Sequence, residues 1–319
     1  MGPTDGGWST TTPRTCWAAR RPTRRRRPRT DRLRRPGPPA VTGIPATDVA
    51  GLLRRYEVLL LDAYGVLVNS AGALPGAAEL VGQLNAAGKP YYILTNDASK
   101  LPTTAAARYQ GYGLAIDAER IITSGLLLEQ HFAAHHLAGA RCVVLGTEDS
   151  RRYVERAGGE IVQPHESFDV LVVADEFGYP FLETVDLALS GLFRAIDRQR
   201  PVHLVLPNPD LIYPSPHGFG IASGSIALVF EAALRLRYSH RRDLRFTRLG
   251  KPHAAMFTEA LRRTGTRNMV MIGDQLEADI GGAHDFGLDS VLVDTGVNAP
   301  PFSAAPARLH PTYLLRSLT

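Results

Sequence analysis

Four consecutive apolar residues, Val58-Leu59-Leu60-Leu61, run straight into Asp62, and a glycine, Gly65, follows three residues later. No polar residue interrupts the run, so it reads as a strand buried on both faces, as in parallel sheets flanked by helices. A carboxylate at the carboxyl end of such a strand stands where open α/β sheets carry out their chemistry. Asp62 has few structural reasons to be there, which makes it the first candidate for a functional residue.

The rest of the chain keeps the rhythm that this strand begins. From about Thr47, apolar runs alternate with amphipathic stretches, the pattern of a parallel α/β sheet. A helix is expected over residues 75–87, opened by Pro75 and closed by Gly88, then a strand over 90–95 and a helix from Ser99 to about Gly111. Towards the end, residues 254–263 and 278–286 read as helices, Met269–Gly273 and 290–294 as strands. The middle has strands of its own at 142–146, 169–173 and His203–Leu206 and a long helix at Phe181–Asp197. The expectation is a Rossmann-like core of residues 46–124 and 246–319, interrupted by an α/β domain of residues 125–245.

With 44% hydrophobic residues over 319 positions, one large core or two moderate ones can be buried. No stretch approaches the roughly 18 apolar residues of a membrane span. The formal charge of +5 belongs to the first forty residues, which hold eleven arginines and two acids; the remainder carries 25 basic against 29 acidic residues. The folded body therefore has no nucleic-acid footprint. Residues 1–45, rich in Arg, Pro and Thr, are expected to be disordered, either as an arm for nucleic acid or membrane surfaces or as a plain extension. They lack the apolar core of about 7–15 residues that marks a signal peptide. Deleting residues 1–40 should leave folding and activity unchanged, and a large drop in melting temperature would contradict this. Two cysteines, Cys16 and Cys142, make no disulfide framework, which suits a reducing cytoplasm.

Four elements follow in order: Asp62 ends the first strand, residues 58–62, Thr95-Asn96 ends the second, Lys251 precedes a helix in Gly250-Lys251-Pro252, and Gly273-Asp274, with Asp279 five residues on, ends a later strand. Taken singly, Asp274 and Asp279 read better as helix N-caps than as metal ligands, and Thr95 and Asn96 could simply cap the following turn. Lys251 is one of only three lysines against 33 arginines, which hints at a need for a compact ammonium. Together the four resemble the motifs of the haloacid dehalogenase (HAD) superfamily. Leu94-Thr95-Asn96-Asp97-Ala98-Ser99 and Gly250-Lys251-Pro252 look like the subfamily of nitrophenyl phosphatases, pyridoxal phosphate phosphatases and NagD-type nucleotide phosphatases. The resemblance implies a phosphatase in which Asp62 attacks phosphorus and forms an aspartyl-phosphate. It also implies Mg²⁺ held by Asp62, the Tyr64 carbonyl and Asp274, with Asp279 behind them. Thr95 and Lys251 would hold the phosphoryl oxygens. The implied partner is a small phosphorylated metabolite, with no nucleic acid and no membrane, and a homodimer through the inserted cap is left open.

Tyr64 departs from the family pattern, which has a second aspartate there as general acid and base. Tyrosine has an unperturbed pKa near 10, and losing acid–base help typically costs roughly 10²–10⁴-fold. His253, Asp97 or a cap residue are the alternative bases. Asp-Ala-Tyr-Gly also resembles motif one of the dehalogenases, which attack carbon; a silent ligand-binding protein is the third reading. The dehalogenases carry a cap just after motif one, whereas here only 33 residues separate Asp62 from Thr95, and the spare length follows Thr95. That position favours the phosphatases. Asn208-Pro209-Asp210 resembles the segment that returns from the cap towards the active site, and would bring Asn208 and Asp210, with Asn96, to the substrate; as sequence it is equally a Pro/Gly-rich loop. Asp175 and Glu176 sit where the subfamily has its specificity loop, and two carboxylates there would suit a polyhydroxylated or cationic leaving group.

Overall fold

The computed structural model describes residues 43–215, 218–293, 305–316 and 318. Most of the expected tail, with Cys16, lies outside these residues. A short strand β1 (Ala46–Thr47) leads into α1 (Val49–Arg55), β2 (Val58–Leu61), a small hairpin β3 (Val68–Asn69) and β4 (Gly72–Ala73), and α2 (Ala77–Ala86). Then come β5 (Tyr91–Thr95), α3 (Pro102–Gly111), β6 (Ile121–Thr123) and α4 (Leu127–Ala134). The middle of the chain runs through β7 (Arg141–Leu145), α5 (Glu148–Arg156), β8 (Glu160–Ile161), β9 (Val170–Val173), α6 (Phe181–Asp197) and β10 (His203–Leu206). It continues with the hairpin β11 (Ile212–Ser215) and β12 (Gly218–Ile221), α7 (Ser223–Arg237) and β13 (Thr247–Arg248). The chain ends with α8 (Ala254–Thr264), β14 (Met269–Gly273), a π-helical segment Leu276–Gly281, α9 (Gly282–Phe286), β15 (Asp289–Val293) and β16 (Tyr313–Leu315).

Two parallel sheets organise these elements. The larger has the order β1-β16-β15-β14-β2-β5-β6, and the smaller, built from residues 141–248, the order β13-β10-β9-β7-β8. In the larger sheet β2 lies between β14 and β5, with Leu61 paired to Ile272 on one side and Ile93 on the other. Whatever follows these three neighbouring strands is brought to one carboxyl edge. All four residues of β2 are buried, as its uninterrupted apolar run requires.

One hydrophobic cluster ties the sheets together. It contains Leu60, Leu94 and Phe257 around the larger sheet, Phe132 of α4 and Tyr153 of α5, and Val144, Val172 and Val205 of the smaller sheet. Hydrogen bonds stitch the same junction: Thr147 Oγ1 donates to the Ser99 carbonyl at 2.6 Å, Ser150 Oγ to Ala98 at 2.8 Å and Tyr153 Oη to Lys100 at 2.6 Å. The opposite face of the smaller sheet packs Val143, Leu171 and Leu206 against Leu192 of α6 and Phe230 of α7. No helix among the described residues is long and apolar enough to cross a membrane.

Three local expectations differ from the structure. The helix expected from Ser99 begins at Pro102, because the Asp97 carboxylate accepts from the Ser99 amide and hydroxyl, each at 2.7 Å, and holds residues 97–99 in a turn. The helix expected over 278–286 starts at Leu276 with π-helical hydrogen bonding before it becomes regular. The loop after Asp210 contains the hairpin of β11 and β12, which Pro214 and the glycines Gly218 and Gly220 hide from any alternation rule.

Candidate active site

The carboxyl edge of β2, β5 and β14 gathers the charged residues. Asp62 continues the ladder of β2 by one hydrogen bond, its amide donating to the Ile272 carbonyl at 2.9 Å. Its Oδ1 accepts from the Ala63 amide at 2.8 Å and from Lys251 Nζ at 2.8 Å. Lys251 Nζ also donates to Asp279 Oδ1 at 2.7 Å, and the lysine is only 2% exposed. Burial works to lower the ammonium's pKa, but the charges of Asp279 and Asp62 outweigh it and hold it above the ordinary lysine value. Lys251 is therefore a fixed cation. Burial pushes the Asp279 carboxyl above the ordinary carboxylate range, against the pull of Lys251.

Asp62, Asp274 and Asp279 are all buried, and each offers an oxygen within 4.8 Å of the others'. Two of the three carboxylates, those of Asp62 and Asp279, bind the one ammonium, and the three together are a donor set of hard oxygens that suits Mg²⁺. Gly65 makes room for it. Its φ is +86°, and a Cβ there would lie 2.3 Å from Asp274 Oδ2. Gly65→Ala is therefore expected to lower stability by roughly 1–3 kcal/mol from backbone strain alone, and to weaken stabilisation by Mg²⁺ because Asp274 must move. Melting curves with and without the ion check both, and an unchanged Mg²⁺ shift would refute the second.

Asn96, expected to touch substrate, has its amide engaged within the protein. Its Oδ1 accepts from the Lys251 amide at 2.7 Å, and its Nδ2 donates to the Lys251 carbonyl at 3.0 Å and to Asp210 Oδ1 at 2.8 Å. It clamps the lysine loop to the end of β5 and to the segment returning from the smaller sheet. Asp210 is pushed up to about 6 by burial, with Asn96 and Lys251 pulling the other way. Asn208 Oδ1 accepts from the Asp210 amide at 3.0 Å, which shapes that turn. Thr95 is buried, its hydroxyl accepting from the Asp97 amide at 3.2 Å.

These residues surround one cleft of about 300 Å³, lined by Asp62, Tyr64, Thr95, Asn96, Asp175, Asn208, Asp210 and Lys251. Asp274 and Asp279 are buried and do not line it. Burial raises the Asp175 carboxyl, and Glu176 is pushed up to about 7 by burial and by Asp175 beside it. Lys100 and Arg108 also line the cleft, and neither was expected. Arg108 comes from α3, where nothing in the sequence distinguishes it from a solvated helix arginine; its Nε donates to Tyr112 Oη at 3.1 Å. Of the alternative bases, His253 is exposed and is not among the lining residues. Asp97 lines the cleft, but its carboxylate is held by Ser99 and by Lys100 at 3.0 Å.

Residues 59–160 match the family model of haloacid dehalogenase-like hydrolases, and residues 248–319 match a second HAD hydrolase-like model. A solved structure described as a possible sugar phosphatase of the HAD superfamily, from Cytophaga hutchinsonii, is 30% identical, with a TM-score of 0.75 over 86% of this chain and 99% of its own. The chain belongs to the HAD superfamily. This HAD protein is also similar to the glycerol phosphate phosphatase of Mycobacterium tuberculosis solved with magnesium, at 25% identity and a TM-score of 0.71 over 84% of this chain and 77% of that one. Among curated proteins, the dihydroxyacetone phosphatase of Corynebacterium glutamicum is 28% identical over 242 residues, 75% of this chain and 81% of its own. The HAD protein is similar as well to the p-nitrophenyl phosphatase of Archaeoglobus fulgidus, at 25% identity and a TM-score of 0.67 over 82% of this chain and 97% of that one.

Proposed function

We propose that this HAD protein is a Mg²⁺-dependent phosphatase of a small phosphorylated metabolite of sugar-phosphate type, working through an aspartyl-phosphate on Asp62. The observation that carries the reading is Asp62 itself: a buried carboxylate at the end of the inner strand β2, 2.8 Å from the Lys251 ammonium and grouped with Asp274 and Asp279. The relatives named dihydroxyacetone phosphatase and glycerol phosphate phosphatase support phosphorus rather than carbon as the centre attacked.

Asp62 attacks phosphorus, the bond from phosphorus to the leaving oxygen breaks, and water later releases phosphate from the aspartyl group. Asp62, Asp274 and the Tyr64 carbonyl, with Asp279 behind them, would hold Mg²⁺, which would supply positive charge to the phosphoryl oxygens. Lys251 contributes a second, fixed charge on the same side, and Thr95 a hydroxyl. Asn96 holds Lys251 in place through two bonds to its backbone and is itself tied to Asp210 by a third. Asp175, Glu176, Lys100 and Arg108 face the remainder of the cleft, a mixed set that suits a hydroxylated leaving group. In this reading residues 125–245 are the cap over a core of 46–124 and 246–319. A homodimer through the cap is supported by exposed Phe177, Phe219 and Ile221. The buried Cys142, its thiol pushed up to about 12 chiefly by burial, is inert and fits the cytoplasm.

A screen of sugar, triose and nucleoside phosphates on the full chain, with Mg²⁺ and with chelator, tests this. Metal-dependent phosphate release from the smaller substrates is expected. Release of halide from a 2-haloacid, with no phosphate from any ester, would overturn it.

A further inference from the structure

We propose that a second cavity, between the end of α7 and the loop of residues 238–246, is a binding site for a di- or triphosphate group. It has a volume of about 550 Å³, shares no lining residue with the Asp62 cleft, and is lined by Arg235, Arg241, Arg242, Arg245 and Arg248 with Glu231 as its one carboxylate. Two of these charges are already answered. Arg248 donates to Glu231 Oε1 at 3.1 Å, and Arg241 grips Asp243 through two bonds of 2.8 and 2.6 Å. Arg235, Arg242 and Arg245 have no carboxylate within salt-bridge distance among the described residues.

Arg235 stands on α7, and the loop that presents Arg242 and Arg245 is anchored at both ends. Tyr238 is buried, and its hydroxyl donates to Asp197 Oδ1 at 2.7 Å. Phe246 is buried, and its amide donates to Glu231 Oε1 at 2.9 Å. Within the loop the Arg241 amide donates to the Tyr238 carbonyl and that of Arg245 to Asp243, each at 2.8 Å. The unanswered arginines therefore stand on a fixed frame, in a body whose overall balance is acidic.

A concave site lined by one sign of charge concentrates the opposite sign. Guanidinium groups match phosphate through paired N–H bonds, better than they match a single carboxylate. Three uncompensated guanidiniums call for three or more negative charges on one compact ligand, which a single phosphate lacks and a pyrophosphate or triphosphate has. The concave shape, with Glu231 on its wall, disfavours the continuous backbone of a nucleic acid, which takes a positive stripe.

The test is titration of the full chain with tripolyphosphate, pyrophosphate and ATP without Mg²⁺ at physiological salt, followed by hydrogen exchange of residues 238–246. Binding should slow exchange in that loop and persist in Asp62→Asn. In Arg242→Glu/Arg245→Glu the affinity should fall roughly tenfold or more and the protection should vanish, with the melting temperature and nitrophenyl phosphate turnover unchanged. Arg242→Gln/Arg245→Gln should weaken binding less, which separates charge from misfolding. Stronger binding of ATP than of tripolyphosphate would assign a nucleotide, and equal binding an inorganic phosphate chain. Protection confined to residues 1–40, loop protection unaltered by charge reversal, or tighter protection by duplex DNA would each overturn the site.

Discussion

Asp62→Asn should reduce phosphate release by a factor on the order of 10⁴ or more, the scale seen when a nucleophile is removed. An amide is a poor nucleophile and a poor ligand for a hard cation. The fold should survive, because the amide oxygen can still accept from the Ala63 amide and from Lys251, which keeps its bond to Asp279. The variant removes one of two carboxylates from a buried ammonium, so the change in stability should stay within about 1–3 kcal/mol. Single-turnover assays and melting curves separate the two effects. Wild-type turnover in the variant would remove Asp62 from the chemistry.

Tyr64→Asp is the second large effect, and it runs the other way. Tyr64 is half-buried at the edge of the cleft, where the family pattern has its acid and base. Supplying a carboxylate should raise hydrolysis of alkyl phosphates by roughly 10²–10⁴-fold, because their leaving oxygen needs a proton. Nitrophenyl phosphate should gain less, since its phenolate leaves without one, unless breakdown of the aspartyl-phosphate limits turnover. In that case the wild type should show a burst of nitrophenol and an acid-stable mass increment on Asp62. A fall in an already efficient alkyl-phosphate activity would mean that tyrosine is no handicap and that the acid lies elsewhere in the cleft.

Much of the architecture was legible because its signals are local. The run of Val58 to Asp62, the strand Met269–Gly273 and the helix Phe181–Asp197 have the length and pattern that periodicity can read. Strands of two or three residues, such as β13, β6 and β16, leave too short a pattern and exist through pairing with longer neighbours. The starts of α3 and α9 do not show in the sequence, because a side-chain turn at Asp97 and a π-helical segment stand where regular caps would be. The charged cluster could be read in outline, since Asp62 and Asp274 follow strands, Thr95 ends one and Lys251 comes just before a helix. The clamp made by Asn96, and the arrival of Lys100 and Arg108 in the cleft, depend on how β5 and α3 pack. No spacing in the sequence reports that.

The cluster shared by the two sheets bears on how the molecule comes apart. Val144, Val172 and Val205 lie in one continuous apolar body with Leu60, Leu94 and Phe257, and α4 and α5 contribute to it between them. Exposing the smaller sheet on its own would therefore strip apolar cover from the larger one, which ties the loss of one to the loss of the other. Calorimetry should record a single endotherm whose van't Hoff and calorimetric enthalpies agree, rather than two. Proteolysis under native conditions should likewise fail to release the middle of the chain as a folded fragment.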